Sequence, residues 1–306
     1  MTTTDTATAT QQDAHLDPAR KHDFVFLFDV RDGNPNGDPD AGGMPRIDPE
    51  TMQGLVTDVA IKRKIRNMVA LLGQGKPGYD IYVEAGVALN AQHERAYAAL
   101  GLKEADGNKY KPPAADQQKA QQWMCQTFFD VRMFGAVMAT GKALCGRVQG
   151  PVQISFSRSA GPVLAQEYGL TRVTQTRKED IDKGETTEMG NKHAIPYGLY
   201  LGYGHFSAPL ARRTGVTPGD LEMLWRAFTL MFEHDRAAGR GEITLRGLYV
   251  FTHHDAFGST PAQALFDRIT ATPVPKDGPP RSFADYRVQV DADDLSGGVT
   301  LTKVTG

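Results

Sequence analysis

From Phe24 to Val30 the chain reads FVFLFDV, a nearly continuous apolar run of β-favouring residues with no polar alternation. Such a strand is covered on both faces and therefore central in a sheet. The loop after it, RDGNPNGDPDAGGMPRID from Arg31 to Asp48, is too rich in Gly and Pro for the interior of a helix or strand. The pattern then predicts a helix, with Asp48 as N-cap, Pro49 in the first turn and Glu50 near the positive end of the dipole. Leu55, Val59, Ile61, Ile65, Met68, Val69 and Leu72 follow at helical spacing until Gly73. Residues 73–130 hold a short apolar stretch at Ile81 to Glu84 and an Ala- and Gln-rich region, which read as a helical insertion.

β-patterning returns in PVQISFSRS (Pro151 to Ser159) and HAIPYGLYLGYGHFS (His193 to Ser207). The polar segment between them reads as a long hairpin over residues 164–194. Thr217, Pro218 and Asp220 predict a capped second helix with Leu221, Leu224, Trp225, Phe228, Met231 and Phe232 on one face. ITLRGLYVFT (Ile243 to Thr252) is its partner strand, and Tyr286 to Val290 a further one. The order strand, helix, strand, strand, helix, strand predicts an α+β fold: a ferredoxin-like or RRM-like antiparallel sheet with both helices on one face, spanning 22–306 with the two insertions. The other face of such a sheet is expected to be open as an RNA platform. Residues 1–21 carry few apolar side chains and are expected to form a disordered tail.

Composition narrows the function. Against 36 acidic residues stand 34 basic ones, a formal net charge of −2, which excludes nucleic-acid binding through bulk charge. The N-terminus is too polar for a signal peptide and no run is apolar enough to span a membrane, so a cytoplasmic protein is expected. Cys125 and Cys145 form no CxxC pair, so neither a disulfide framework nor a cysteine-rich zinc site is expected. Asp32-x-Asn34-x-Asn36-Gly37 opens like a calcium loop, but its twelfth position is Gly43. GAVMATGKA (Gly135 to Ala143) has one residue too many for a P-loop and ends in Ala143 where Ser or Thr would hold magnesium. The pair His253–His254 lacks metal spacing, and Tyr249 and Phe251 in RGLYVF read as core, not as an RNP1 motif. No metal or cofactor is expected.

Positive charge is concentrated locally. Lys62, Arg63, Lys64 and Arg66 crowd the first helix, where Lys62, Arg63 and Arg66 are expected on one side. Arg132, Lys142, Arg147, Arg158, Arg172, Arg177 and Lys178 face only Glu167 across the middle of the chain, and an acidic stretch follows. That separation suits a phosphate track beside protein contacts.

FDVRDGNPNGDPDAGGMPRIDPETMQGLVTDVAIKRKIRN, FFDVRMFGAVM, GPVQISFSRS and TTEMGNKHAIPYGLYLGYGHFS together resemble the backbone subunit of type I-C Cascade. This is the CRISPR-associated family seven, Dvulg subtype, of the RAMP superfamily. The resemblance runs in order from Phe24 toward the C-terminus and implies an RRM-like palm, a helical insertion and a β-hairpin thumb. It also implies a non-catalytic subunit whose copies stack head to tail along a CRISPR RNA, leaving the bases exposed to a target DNA strand. The guide-processing RAMP subunit and the large and small Cascade subunits would be its other partners. Such a protein must hold the guide by phosphate, sugar and shape. The RNA-binding set expected on that basis is Asn34, Asn36 and Arg46 in the loop, Lys62, Arg63 and Arg66 on the helix, and Arg132, Phe134, Gly135 and Arg158 in the middle. Arg172, Arg177, Lys178, Met189 and His193 complete it on the thumb, with Met189 as the expected wedge.

Two nuclease readings compete. Type III relatives of the superfamily cut RNA with an Asp after the first strand, where this chain has Asp29, Asp32, Asp38 and Asp40. Turn-forming Asp is the simpler explanation in such a loop. A guide-processing endonuclease would want a general-base His or Tyr near a Gly-rich C-terminal loop, and none stands out.

Overall fold

The computed structural model describes residues 13–107, 110–184, 186–295 and 298–306. The chain begins with β1 (His22–Gly33), the two-residue strands β2 (Gly37–Asp38) and β3 (Met44–Pro45), β4 (Gln53–Val56) and helix α1 (Asp58–Leu72). Helices α2 (Leu89–Leu100), α3 (Ala114–Thr127) and α4 (Phe129–Phe134) precede β5 (Gly135–Met138), β6 (Gly146–Gln149), β7 (Val152–Ile154) and β8 (Ser157–Pro162). Next come β9 (Gln166–Arg172), α5 (Lys178–Asp182), β10 (Glu188–Phe206), α6 (Ala208–Thr214), α7 (Pro218–Leu230) and β11 (Glu242–Thr252). The chain ends with α8 (Ala262–Phe266), β12 (Ile269–Pro273), β13 (Tyr286–Val290) and β14 (Thr300–Thr305).

The main sheet runs β14-β11-β1-β10-β8-β4, with β1 antiparallel to both of its neighbours. The unbroken apolar run of β1 has its reason here. Phe24, Phe26, Phe28 and Val30 pack with Ile61, Ile65 and Met68 of α1 and with Leu221, Leu224, Trp225 and Phe228 of α7. Val25 and Leu27 face the other way, into a second core with Leu199, Tyr249, Phe251, Leu265, Phe266, Ile269 and Val299. Two glycines of β10 make room for this packing: Gly204 and Gly202 stand opposite Phe24 and Phe26, and an added Cβ would lie 2.0 and 2.2 Å from their ring atoms. Tyr249 and Phe251 are core, as their pattern predicts.

The expected open face is therefore closed. α8, β12 and residues near β14 cover it, because Leu265, Phe266 and Ile269 supply the apolar surface that Val25 and Leu27 need. The first helix also starts later than expected. Asp48 accepts from Glu50 N in a local turn, Met52 adopts φ +58°, and Gln53–Val56 pairs with β8 before Thr57 caps α1 through Ala60 N. The long-range pairing outweighs a cap that looks sound locally. For α7 the capping box of Thr217 and Asp220 is present as predicted.

Of the expected disordered tail, residues 1–12 lie outside the described residues. Residues 13–21 are ordered, contrary to that expectation: Ala14 is buried and His15 O accepts from Trp225 Nε1 at 3.1 Å. Arg20 Nε donates to His253 O at 2.6 Å, so polar anchors here stand in for apolar burial. The helical insertion forms a small core of its own, including Tyr82, Tyr97, Met124, Phe128, Met138, Cys145 and Val148. It thus extends beyond residue 130, through the β5–β6 pair. Burial pushes the Cys125 and Cys145 thiols up to about 11 and 12, which keeps them protonated. Between 164 and 194, β9 pairs with the first half of β10, and the small helix α5 lies between the two strands.

Candidate nucleic-acid interface

The loop after β1 is fastened at several points. Asn34 donates through Nδ2 to Gly43 O at 2.7 Å, and Asn36 Oδ1 accepts from Thr57 N at 2.9 Å, joining the loop to the start of α1. Arg46 pairs with Asp38 at 3.1 Å. Between this loop and α1 lies a cleft of about 340 Å³, walled by Asn34, Asn36, Arg63, Lys64, Asn67, Asp235 and Arg240. Lys64 is buried against Asp235, and burial lowers its pKa despite that partner. Arg240 Nε stands 2.9 Å from the same carboxylate but is not aligned to donate to it, and Asn34 Oδ1 is buried with no partner. Arg63 donates to Val83 O at 2.9 Å. Two cations on one carboxylate and a third cation beside them, with one orphan donor and one orphan acceptor, make a site short of an anionic, hydroxyl-bearing ligand.

The structure thus brings Asn34, Asn36 and Arg63 together with Lys64 and separates them from Lys62 and Arg66. Lys62 pairs with Asp58 at 2.9 Å, and Arg66 with Asp130 at 2.7 Å. Both cations lie over the Phe134 ring, so Lys62, Arg66 and Phe134 form a packed cluster; they do not form a row with Arg63. Arg132 is buried and fully engaged. It makes two bonds to Asp220, at 2.6 and 3.1 Å, and others to Cys125 O and Gly78 O. No N–H of that fork remains for a phosphate. Gly135, at φ +79°, abuts Gly150, and an added Cβ would lie 2.5 Å from Gly150 N. Both the positive φ and the close backbone packing require glycine here.

Arg158 is exposed and paired with Asp48 at 2.9 Å. On the hairpin, Arg172 pairs with Glu188 and donates to Thr174 O. Arg177 and Lys178 are exposed at the start of α5. The register sets Met189 opposite Thr171 and His193 opposite Glu167, so Met189 and His193 share one face with Asn191. Met189 is 82% exposed. Tyr168, Leu170 and Lys192 share the opposite face with Arg172.

The loop carboxylates do not converge. Asp29 is buried and accepts from the Tyr197 hydroxyl and pairs with Arg246, each at 2.9 Å. Burial and then Asp29 push the Tyr197 phenol far above its ordinary range. Asp38 faces Arg46, while Asp32 and Asp40 are exposed. Among the described residues no three His, Cys, Asp or Glu side chains are grouped so as to hold a metal ion. Sequence reasoning missed Asn67 and Arg240; Arg240 reaches the cleft from the loop before β11, far along the chain from Arg63, and leaves no local motif.

Fold and cleft together describe a protein built on a sheet packed on both faces, with a protruding hairpin and an anion-seeking site beside its first helix. The profile of the family described as CRISPR-associated protein Cas7 matches residues 20–291, and the chain belongs to that family. Over 230 residues it is 28% identical to the CRISPR-associated protein Cas7 of Haloferax volcanii, spanning 68% of this chain and 64% of that relative, so less than two thirds of the relative's length is matched. Among solved structures, a chain of a "CRISPR RNA-guided surveillance complex, pre-nicking" aligns at a TM-score of 0.49 with 17% identity, over 80% of this chain and 79% of that one. A chain of a "CRISPR RNA-guided surveillance complex" aligns at 0.46 with 14% identity, over 84% and 77%. No helix among the described residues is long and apolar enough to cross a membrane.

Proposed function

We propose that this chain is the non-catalytic, guide-holding backbone subunit of a type I-C RNA-guided surveillance complex in the cytoplasm. Its copies would stack head to tail on a CRISPR RNA and present the bases to a target DNA strand, beside a guide-processing RAMP subunit and large and small subunits. Family membership supports the reading. So does the strand order β11-β1-β10-β8, which in chain order is fourth, first, third, second, the arrangement of an RRM-like palm. The helical unit and the hairpin over 164–194 would be its insertion and its thumb.

One observation carries the proposal: the buried, unpartnered Asn34 Oδ1 in the same cleft as Arg63 and the misaligned Arg240. A ribose 2′-hydroxyl would satisfy the acceptor, and a phosphate would take the guanidinium groups, with no base edge involved. Arg63→Gln with Arg240→Gln should weaken RNA binding equally for every spacer sequence. It should also reduce the slope of log affinity against log salt by about 1.4, the value for two single-strand phosphate contacts. Asn34→Ala should reduce the preference for RNA over DNA of the same sequence about fivefold, one lost hydrogen bond's worth. Filter binding across a salt series reads all three; an unchanged slope, or losses confined to some spacers, would overturn the assignment.

A further inference from the structure

A second cleft, of about 670 Å³, lies apart from the one beside Asn34. It lies between the helical unit and the main sheet's helices, with Gln121, Gln122 and Gln126 of α3 on one wall and Arg212 and Arg213 of α6 on the other. Its charged lining is Arg132, Asp220, Arg212 and Arg213. The first two neutralise each other in a buried pair, so the free charge of the cleft is that of Arg212 and Arg213. Both are exposed, and among the described residues neither makes an ion pair or a hydrogen bond. Cations in the last turn of α6 complement its dipole, which accounts for their sign but gives neither guanidinium a partner. Tyr79 adds a phenol that burial, then Asp220, holds protonated as a donor. Glu222, exposed on α7, acts on that phenol but does not line the cleft.

A cleft with two unpaired guanidinium forks, a neutral phenol, glutamine amides and no unpaired carboxylate selects for an anion that also offers polar edges. We infer that it binds a phosphodiester segment of a nucleic-acid strand, at a site separate from the cleft at Asn34 with which it shares no lining residue. The inference rests on the proposed role in a guide-bearing assembly, and the strand is either the guide itself or DNA engaged by the loaded assembly. Arg132 would act only through position, since its own N–H groups are taken by Asp220 and by carbonyls.

The test uses the guide-loaded assembly with Arg212→Gln and Arg213→Gln, a second form with Lys at both positions, and the Arg63→Gln, Arg240→Gln form in parallel. Probes are complementary single-stranded DNA, unrelated duplex DNA and inorganic phosphate as competitor. The Gln form should bind at least one strand about tenfold more weakly, with a flatter salt dependence, and the Lys form should recover part of that loss because the charge is kept and the fork is not. Reduced guide content identifies the guide as occupant; weaker DNA binding at unchanged guide content identifies the DNA. Guide content and DNA affinities all within twofold of the wild type would overturn the inference, as would a Gln-form loss seen only as weaker inorganic phosphate competition. If the Arg63 and Arg240 form is silent while the Arg212 and Arg213 form is not, the cleft at Asn34 fails and this one stands.

Discussion

His22 is a fully buried imidazole at the start of β1, with Nδ1 3.0 Å from Thr252 Oγ1 and Nε2 2.9 Å from Asp17 O. Burial lowers its pKa to about 4, so the folded state keeps it neutral where the unfolded chain, near 6.5, takes up a proton. The unfolded state therefore binds more protons between those values, and stability falls as pH drops through that window. From pH 7 to pH 5 the loss from His22 alone is about 2 kcal/mol. Its neighbour Asp23 acts in a different range. Burial would raise its pKa, but contacts with His205, His253 and Lys21 hold it well below the ordinary carboxylate range. Its contribution is present above the unfolded value near 3.9 and fades only in stronger acid. Urea melts at pH 7 and pH 5 should show the decline in the wild type and a flatter dependence in His22→Gln; parallel slopes would dismiss the imidazole as its source. His205 and Thr252 meet β1 through strand pairing, and His253 through its N–H bond to Lys21 O, so none of these three was legible in the sequence. The cleft at Asn34 was half legible for the same reason: Asn34, Asn36 and Arg63 sit in motifs, whereas Arg240 and Asp235 arrive from a distant loop.

Strand β10 runs 19 residues without interruption from the exposed hairpin into the buried sheet. The hairpin is therefore an extension of a central strand, and its direction is set by the core to which Ile195, Leu199 and Phe206 belong. Its outer part contributes almost no burial, since Val173, Ile181 and Met189 are all largely exposed. Replacing residues 174–187 by a Gly-Ser turn should shift the melting temperature by less than about 2 °C, under ~1 kcal/mol for a chain of this size. Assembly on RNA should nevertheless suffer. Full-length particles with an unaltered nuclease footprint would deny the hairpin any spacing role. Elements with strong periodicity, β1, α7, β11 and β13, could be placed from the sequence because packing there agrees with local preference. The start of α1 could not, since Asp48-Pro49-Glu50 satisfies local capping rules and only the partner strand β8 decides otherwise.

At the scale of the whole chain, a sheet packed on both faces has no broad surface left for bases to stack on. In the proposed role, nucleic acid would meet the molecule through clefts and through the hairpin, where cations and hydroxyl-seeking groups would hold a backbone and leave base edges free. That arrangement suits retention of a strand and bears directly on its survival. A metal-dependent ribonuclease would need a carboxylate set against a scissile phosphate with an ion or base beside it. Asp29 is committed to Tyr197 and Arg246, and Asp38 to Arg46. Asp40 remains exposed in the loop and Asp32 at the end of β1, where it adopts φ +46°, a conformation few side chains tolerate. The purified assembly, given magnesium or manganese and an RNA complementary to its guide, should therefore leave both strands intact over hours on a denaturing gel. Cleavage at regular intervals, abolished by Asp32→Ala or Asp38→Ala, would place the chain among RNA-cutting backbone subunits and make the loop after β1 a catalytic element.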